Sequence, residues 1–131
     1  MKVDGHLGSK IPVSRVLRAV SAGGVLVVAA TILTAYLLGI RGYAVTGASM
    51  EPDLRAGQFI LTRSVPAQEI RPGEIVTVRR PGRGDMVTHR VITVSQVNGL
   101  VHLKLRGDAN ATADPSDYVV TRAQRYLFAV F

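Results

Sequence analysis

From Ala19 to Ile40 the chain carries no charged residue. A helix needs about 20 mainly apolar residues to cross a bilayer core, and this stretch, with Val25-Leu26-Val27-Val28 and Ile32-Leu33 set among alanines, predicts one transmembrane helix over residues 19–40. The run is longer than the apolar core of a secretory signal and lacks a small-residue cleavage site, which predicts an uncleaved anchor. Lys2, Lys10, Arg15 and Arg18 precede it against a single acid, Asp4, while Arg41 alone follows at once. The basic side of a span stays inside, so residues 1–18 are expected to be a cytoplasmic basic lead and residues 41–131 an extracytoplasmic domain. A small-residue pair, Gly23-Gly24, is by itself weak evidence of a helix partner.

Composition narrows what the rest can be. With no cysteine, disulfides, thiolate metal sites and cysteine nucleophiles are excluded. The net charge of +7 is spread along the chain rather than gathered in one run, which argues against a nucleic-acid tail and leaves a lipid bilayer as the expected charged partner. No HExxH or comparable ligand spacing occurs, so neither a metal nor a cofactor is expected.

Beyond Pro52 the pattern turns to period two. Gln58 to Arg63, Glu74 to Arg79, Met86 to Val97 and Leu100 to Arg106 are rich in Val, Ile and Thr and read as strands. Pro66, Pro72-Gly73, Pro81-Gly82 and Gly84-Asp85 mark loops between them. The expected class is therefore mainly β with one N-terminal transmembrane helix. Asn98-Gly99 between two alternating runs signals a two-residue hairpin. In that register Val94 faces Leu103, Ile92 faces Leu105 and Gln96 faces Val101 on the buried side. On the other side Ser95 meets His102, Thr93 meets Lys104, Val91 meets Arg106 and His89 meets Asp108. Directly opposed residues hold their Cβ atoms about 4.5–5.5 Å apart, which would set an acid against an imidazole. A one-residue slip, or a bulge near Gly107, would break that pairing.

An imidazole with an acid matters because of Thr46-Gly47-Ala48-Ser49-Met50-Glu51-Pro52. A serine hydroxyl is a poor nucleophile until a base takes its proton, and a small-residue turn can as well be only a turn. With His89 as base and an aspartate to orient it, Ser49 has what acyl transfer requires. His6 and His102 are assigned no function.

Together Ser49-Met50-Glu51-Pro52 after an anchor, Gly73-Glu74-Ile75-Val76, Thr88-His89-Arg90-Val91, Arg106-Gly107-Asp108-Ala109-Asn110 and Asp114-Pro115 resemble type I signal peptidase. Histidine at position 89, where most bacterial members have lysine, is similar to the endoplasmic-reticulum and archaeal branch. The resemblance implies a signal-peptidase-like β domain and an endopeptidase of the plasma membrane's outer face. Its substrates would be preprotein signal peptides, cut after small residues with alanine at the first and third positions before the cut. It makes Ser49 the nucleophile and His89 the general base. Asp114 matches the family's second aspartate and Asp108 its first; the hairpin register favours Asp108, and both stand as candidates. The backbone N–H of Ser49 is the obvious oxyanion donor, but Gly47 stands where many bacterial members carry a second donor, a serine. Two other readings are a catalytically silent membrane-tethered β module and a self-cleaving membrane-bound regulator. The apolar end, Tyr126 to Phe131, is too short to span a membrane and is expected to be a final strand, an interfacial edge or the stump of a second helix.

Overall fold

The computed structural model describes residues 12–131, which fall into two compact units meeting between Ala35 and Tyr36. The residue 1–11 part of the expected basic lead lies outside the described residues.

The first unit is dominated by one helix, α1 (Val13–Leu37). It starts six residues earlier than the sequence suggests because Pro12 supplies an N-terminal boundary, its carbonyl accepting from Arg15 N at 2.8 Å, and arginine is a good helix former, so Arg15 and Arg18 lie in the first turns. None of its residues is buried, and an 18-residue window reaches a mean hydropathy of 2.1. A helix apolar all round and uncovered by protein has the length and composition of a membrane span. Gly39 ends the element. Its φ of +79° is open to glycine at little cost, and a Cβ there would lie 2.9 Å from the Ser64 Cβ. Ile40 consequently begins a strand rather than closing the helix.

The second unit is a seven-stranded sheet. Its strands are β1 (Ile40–Ala44), β2 (Phe59–Pro66), β3 (Ile75–Arg79), β4 (Met86–Val97), β5 (Leu100–Arg106), β6 (Tyr118–Val120) and β7 (Arg122–Ala129). The spatial order is β1-β2-β7-β3-β4-β5-β6, with each neighbouring pair antiparallel. Most of the apolar end of the chain is thus a final strand, inserted between β2 and β3. Val76, Val78, Val91, Leu103 and Leu105 build one core and Met50, Leu54 and Ile60 a second, smaller one.

The β4–β5 hairpin forms where Asn98-Gly99 places it, both residues at positive φ, and its pairs from Thr93–Lys104 to Val97–Leu100 are those expected. Below them the register shifts at Ile92, so that Val91 faces Leu105 and Arg90 faces Arg106. A bulge inserts one unpaired residue and reverses the alternation. Val91 is therefore buried and Ile92 exposed, the opposite of the uninterrupted register, and the predicted opposition of His89 to Asp108 is lost.

Candidate active site

Burial of its neighbours holds Ser49 in place. Met50 and Leu54 are 2% and 1% exposed, and Leu54 N donates to Met50 O at 2.9 Å, so the turn carrying the hydroxyl is anchored in the smaller core. From the other side Ala109 N donates to Ser49 O at 2.8 Å. That approach is close enough to require glycine at 107, where a Cβ would sit 2.6 Å from Ser49 O.

His89 reaches the serine from β4. It is 7% exposed and opposite Val76 of β3. Its Nε2 lies 3.1 Å from Ser49 Oγ and its Nδ1 2.7 Å from Asp114 Oδ2. A carboxylate only accepts, so Nδ1–H donates to Asp114, and the neutral ring then offers its Nε2 lone pair to the Ser49 hydroxyl. Asp114 is held by its own N–H, which donates to Leu105 O at 2.8 Å, and by the Tyr118 hydroxyl, which donates to the same Oδ2 at 2.7 Å. Burial, reinforced by Asp114, pushes the Tyr118 phenol well above its ordinary value, which keeps it a donor.

Asp108, the other candidate acid, is elsewhere. With β4 shifted at Ile92 it meets Arg90 instead of His89. Arg90 Nε and Nη2 donate to its two oxygens at 2.8 and 2.7 Å, a bidentate pairing in which both groups are charged. The same guanidinium donates to Asp53 at 2.6 Å and to Gly73 O at 2.8 Å. The hydrogen bond from Arg90 holds the Asp108 carboxyl below its usual range, and Asp108 in turn raises Arg90. Arg90 thereby ties the serine turn to the loop before β3 and the loop after β5. Sequence reasoning gave no role to Arg90, Asp53 or Tyr118. Arg90 carried one usable signal, since a residue next to His89 on a strand points to the opposite face. His102 pairs with Ser95 on the hairpin, away from this site, and His6 lies outside the described residues.

Two cavities flank Ser49 and His89. One of about 590 Å³ is lined also by Arg80, Arg83, Asn110, Asp114 and Tyr118. Another of about 150 Å³ runs between Ala44–Gly47 and Met86–Thr88. A larger cavity of about 740 Å³, over Thr77, Val78 and Arg122, holds neither residue, so size does not pick out the chemistry here. The arrangement can pass a proton from a hydroxyl to an imidazole whose far side is fixed by a carboxylate.

A family model described as signal peptidase, peptidase S26, matches residues 16–96. Signal peptidase I W of Bacillus subtilis is 31% identical over 72 residues, covering 54% of this chain and 37% of that protein. Signal peptidase complex catalytic subunit SEC11C of Homo sapiens is 35% identical over 75 residues, 56% of this chain and 39% of that one. The putative catalytic subunit SEC11B of Homo sapiens is 34% identical over 71 residues, 53% and 43% of the two chains. The matches therefore span well under half the length of these relatives. No solved structure matches the chain significantly.

Proposed function

The chain belongs to the signal peptidase family, peptidase S26, on its endoplasmic-reticulum and archaeal-like branch, and we propose from that premise that it is a membrane-anchored serine endopeptidase removing signal peptides from preproteins. The observation that carries the reading is the continuous chain of short contacts from Ser49 Oγ through His89 to Asp114, opening onto cavities on either side.

In this reading Ser49 Oγ attacks the scissile carbonyl carbon while its proton passes to His89 Nε2. The new C–O bond forms, and the carbonyl electron pair moves onto oxygen as an oxyanion. Asp114 stabilises the imidazolium so produced and holds the tautomer that makes Nε2 basic. Collapse of the intermediate breaks the C–N bond, and the imidazolium gives its proton to the leaving amine. Water then repeats the sequence on the acyl-enzyme. Ser49 N–H, which donates to no backbone carbonyl among the described residues, is free to meet the oxyanion. The cavity of about 150 Å³ beside Gly47 and Met50 has room for a small side chain, which favours alanine before the cut. The span α1 supplies the anchor, and the basic residues before it and in its first turns, Lys2, Lys10, Arg15 and Arg18 against Arg41 alone just after it, orient the β unit to the outer side.

The direct test is cleavage of a peptide with Ala-x-Ala before the cut by the purified full chain in detergent, beside Ser49→Ala. Cleavage at that bond by the wild type alone is expected. A wild type that leaves the peptide intact, or a Ser49→Ala chain that cuts it equally, would end this reading.

A further inference from the structure

We propose that the side-chain amide of Asn110 is the second oxyanion donor, acting beside Ser49 N–H; the assignment rests on reading Ser49 as the nucleophile. A tetrahedral oxyanion gains most from two donors already in place before charge develops, and the turn that carries Ser49 offers a backbone donor only. Two residues back stands Gly47, which has no side chain, and no atom beyond its chain neighbours lies within 4 Å of where its Cβ would be. Position 47 therefore supplies no side-chain donor to the nucleophile.

The loop after β5 approaches from the other. Ala109 N donates to Ser49 O at 2.8 Å, and Asn110 N donates to Gly107 O at 2.9 Å. These two bonds fix the Asn110 backbone with respect to the serine. The side chain follows. A Cβ placed on Gly107 would lie 2.7 Å from Asn110 Nδ2 and 3.0 Å from Ser49 Cβ, so the amide nitrogen and the nucleophile's own carbon crowd one point. Asn110 also lines the cavity of about 590 Å³ that Ser49, His89 and Asp114 open into. It is exposed, and its amide enters no hydrogen bond among the described residues, leaving the donor unspent. Arg80 and Arg83 border the same cavity, but they belong to the β3–β4 loop, where Arg80 faces Asp85 at 3.8 Å, and neither is tied to the serine turn. Asn110 is the neutral donor on the loop that is hydrogen-bonded to Ser49.

The substitutions Asn110→Ala and Asn110→Asp separate a donor to the transition state from a contact to bound peptide. Removing one such donor elsewhere has cost about 10²–10³ in kcat. On an Ala-x-Ala peptide, Asn110→Ala is expected to lose at least about 100-fold in kcat with KM unchanged, and Asn110→Asp, an acceptor in the same shape, at least as much. Both should melt with the wild type, since the residue is exposed. A second measurement needs no turnover. A peptide ending in an aldehyde forms a hemiacetal with the serine, the Oγ–C bond forming as the hydroxyl proton passes by way of His89 to the former carbonyl oxygen, which then sits where the oxyanion would. The matching alcohol cannot do this, so the wild type should bind the aldehyde much more tightly and Asn110→Ala should lose most of that preference. If Asn110→Ala keeps wild-type kcat, raises KM alone, or retains the aldehyde preference while the wild type shows it, the Asn110 assignment falls and the Ser49 reading stands. A wild type that binds aldehyde and alcohol equally defeats the Ser49 reading and takes Asn110 with it.

Discussion

His89 and Arg90 are neighbours on one strand, and each holds an aspartate from the same loop, yet the two pairs are built for opposite purposes. On the inner face Asp114, its side chain 8% exposed, accepts from an imidazole and a phenol. On the outer face Asp108, 17% exposed, accepts two bonds from a guanidinium that also reaches Asp53 and Gly73. A guanidinium stays charged at any working pH; an imidazole gains and loses its proton in the neutral range. The inner pair suits a charge that comes and goes during a reaction, and the outer pair suits a constant clamp on three segments. Variants that separate activity from stability are the way to break this contrast.

The largest expected effect is on the inner side. Ser49→Ala and His89→Ala should each abolish cleavage, on the order of a millionfold in kcat where nucleophile and base act as a unit, while the melting temperature stays near that of the wild type. Single-turnover assays with excess enzyme read that range. Residual activity close to wild type in either variant would dissolve the inner pairing as a catalytic device.

Next come the two acids compared directly. Asp114→Asn keeps the shape but no longer enforces the Nδ1–H tautomer, and it should lower kcat by about four orders of magnitude. Asp108→Asn should cost little in kcat and appear instead as a lower melting temperature. Equal activity losses in the two would show that the outer pair also bears on chemistry.

Much of this frame was legible in the sequence, and the exceptions have physical causes. The charge-free run exposed the long apolar helix, and period-two patterning exposed four strands, because both are local properties of the chain. Asn98-Gly99 placed the hairpin and its pairs from Val97–Leu100 to Thr93–Lys104. The bulge at Ile92 left no comparable mark, since Val91 and Ile92 are both apolar β-branched residues and either could have faced the core. Packing of Val91 among the buried residues decided it. That single unpaired residue exchanged the partners of Asp108. The meeting of Asp114 with His89 depends on a loop folding back so that Asp114 N bonds to Leu105 O, a non-local event that the family resemblance flagged and spacing did not. The short β6 and the insertion of β7 between β2 and β3 are likewise set by tertiary pairing.

A smaller effect tests the clamp itself. Arg90→Met removes four donated hydrogen bonds and leaves Asp108 charged and half-buried with no partner. Losing a hydrogen bond to a charged group costs about 1.5–3 kcal/mol, and each kcal/mol moves the midpoint of a domain this size by about 4–8 °C, so a fall of about 10 °C in detergent is expected. An unchanged midpoint would mean that the three segments hold together without Arg90.

The smallest expected effect is in acid, and it isolates Asp108 from Asp114. The hydrogen bond from Arg90, and then its charge, hold the Asp108 carboxyl below its ordinary value in the folded chain. An unfolded aspartate titrates near 3.9. Below that value the unfolded chain binds a proton that the folded chain still resists, so the clamp's contribution is fully present above about pH 5 and drains away as pH falls toward the depressed folded value. Arg90 is itself raised and does not titrate in this window, which leaves the carboxyl as the moving part. Asp108→Asn has no such carboxyl. The difference in melting temperature between wild type and Asp108→Asn should therefore be flat from pH 7 to about pH 5 and shrink steadily from pH 4 downward. Thermal melts of both chains in the same detergent from pH 2.5 to 7 measure it. A gap that stays constant to pH 2.5 would mean that the Arg90 pairing adds nothing through charge, and a gap that widens in acid would reverse the sign of the linkage and with it the outer half of the comparison.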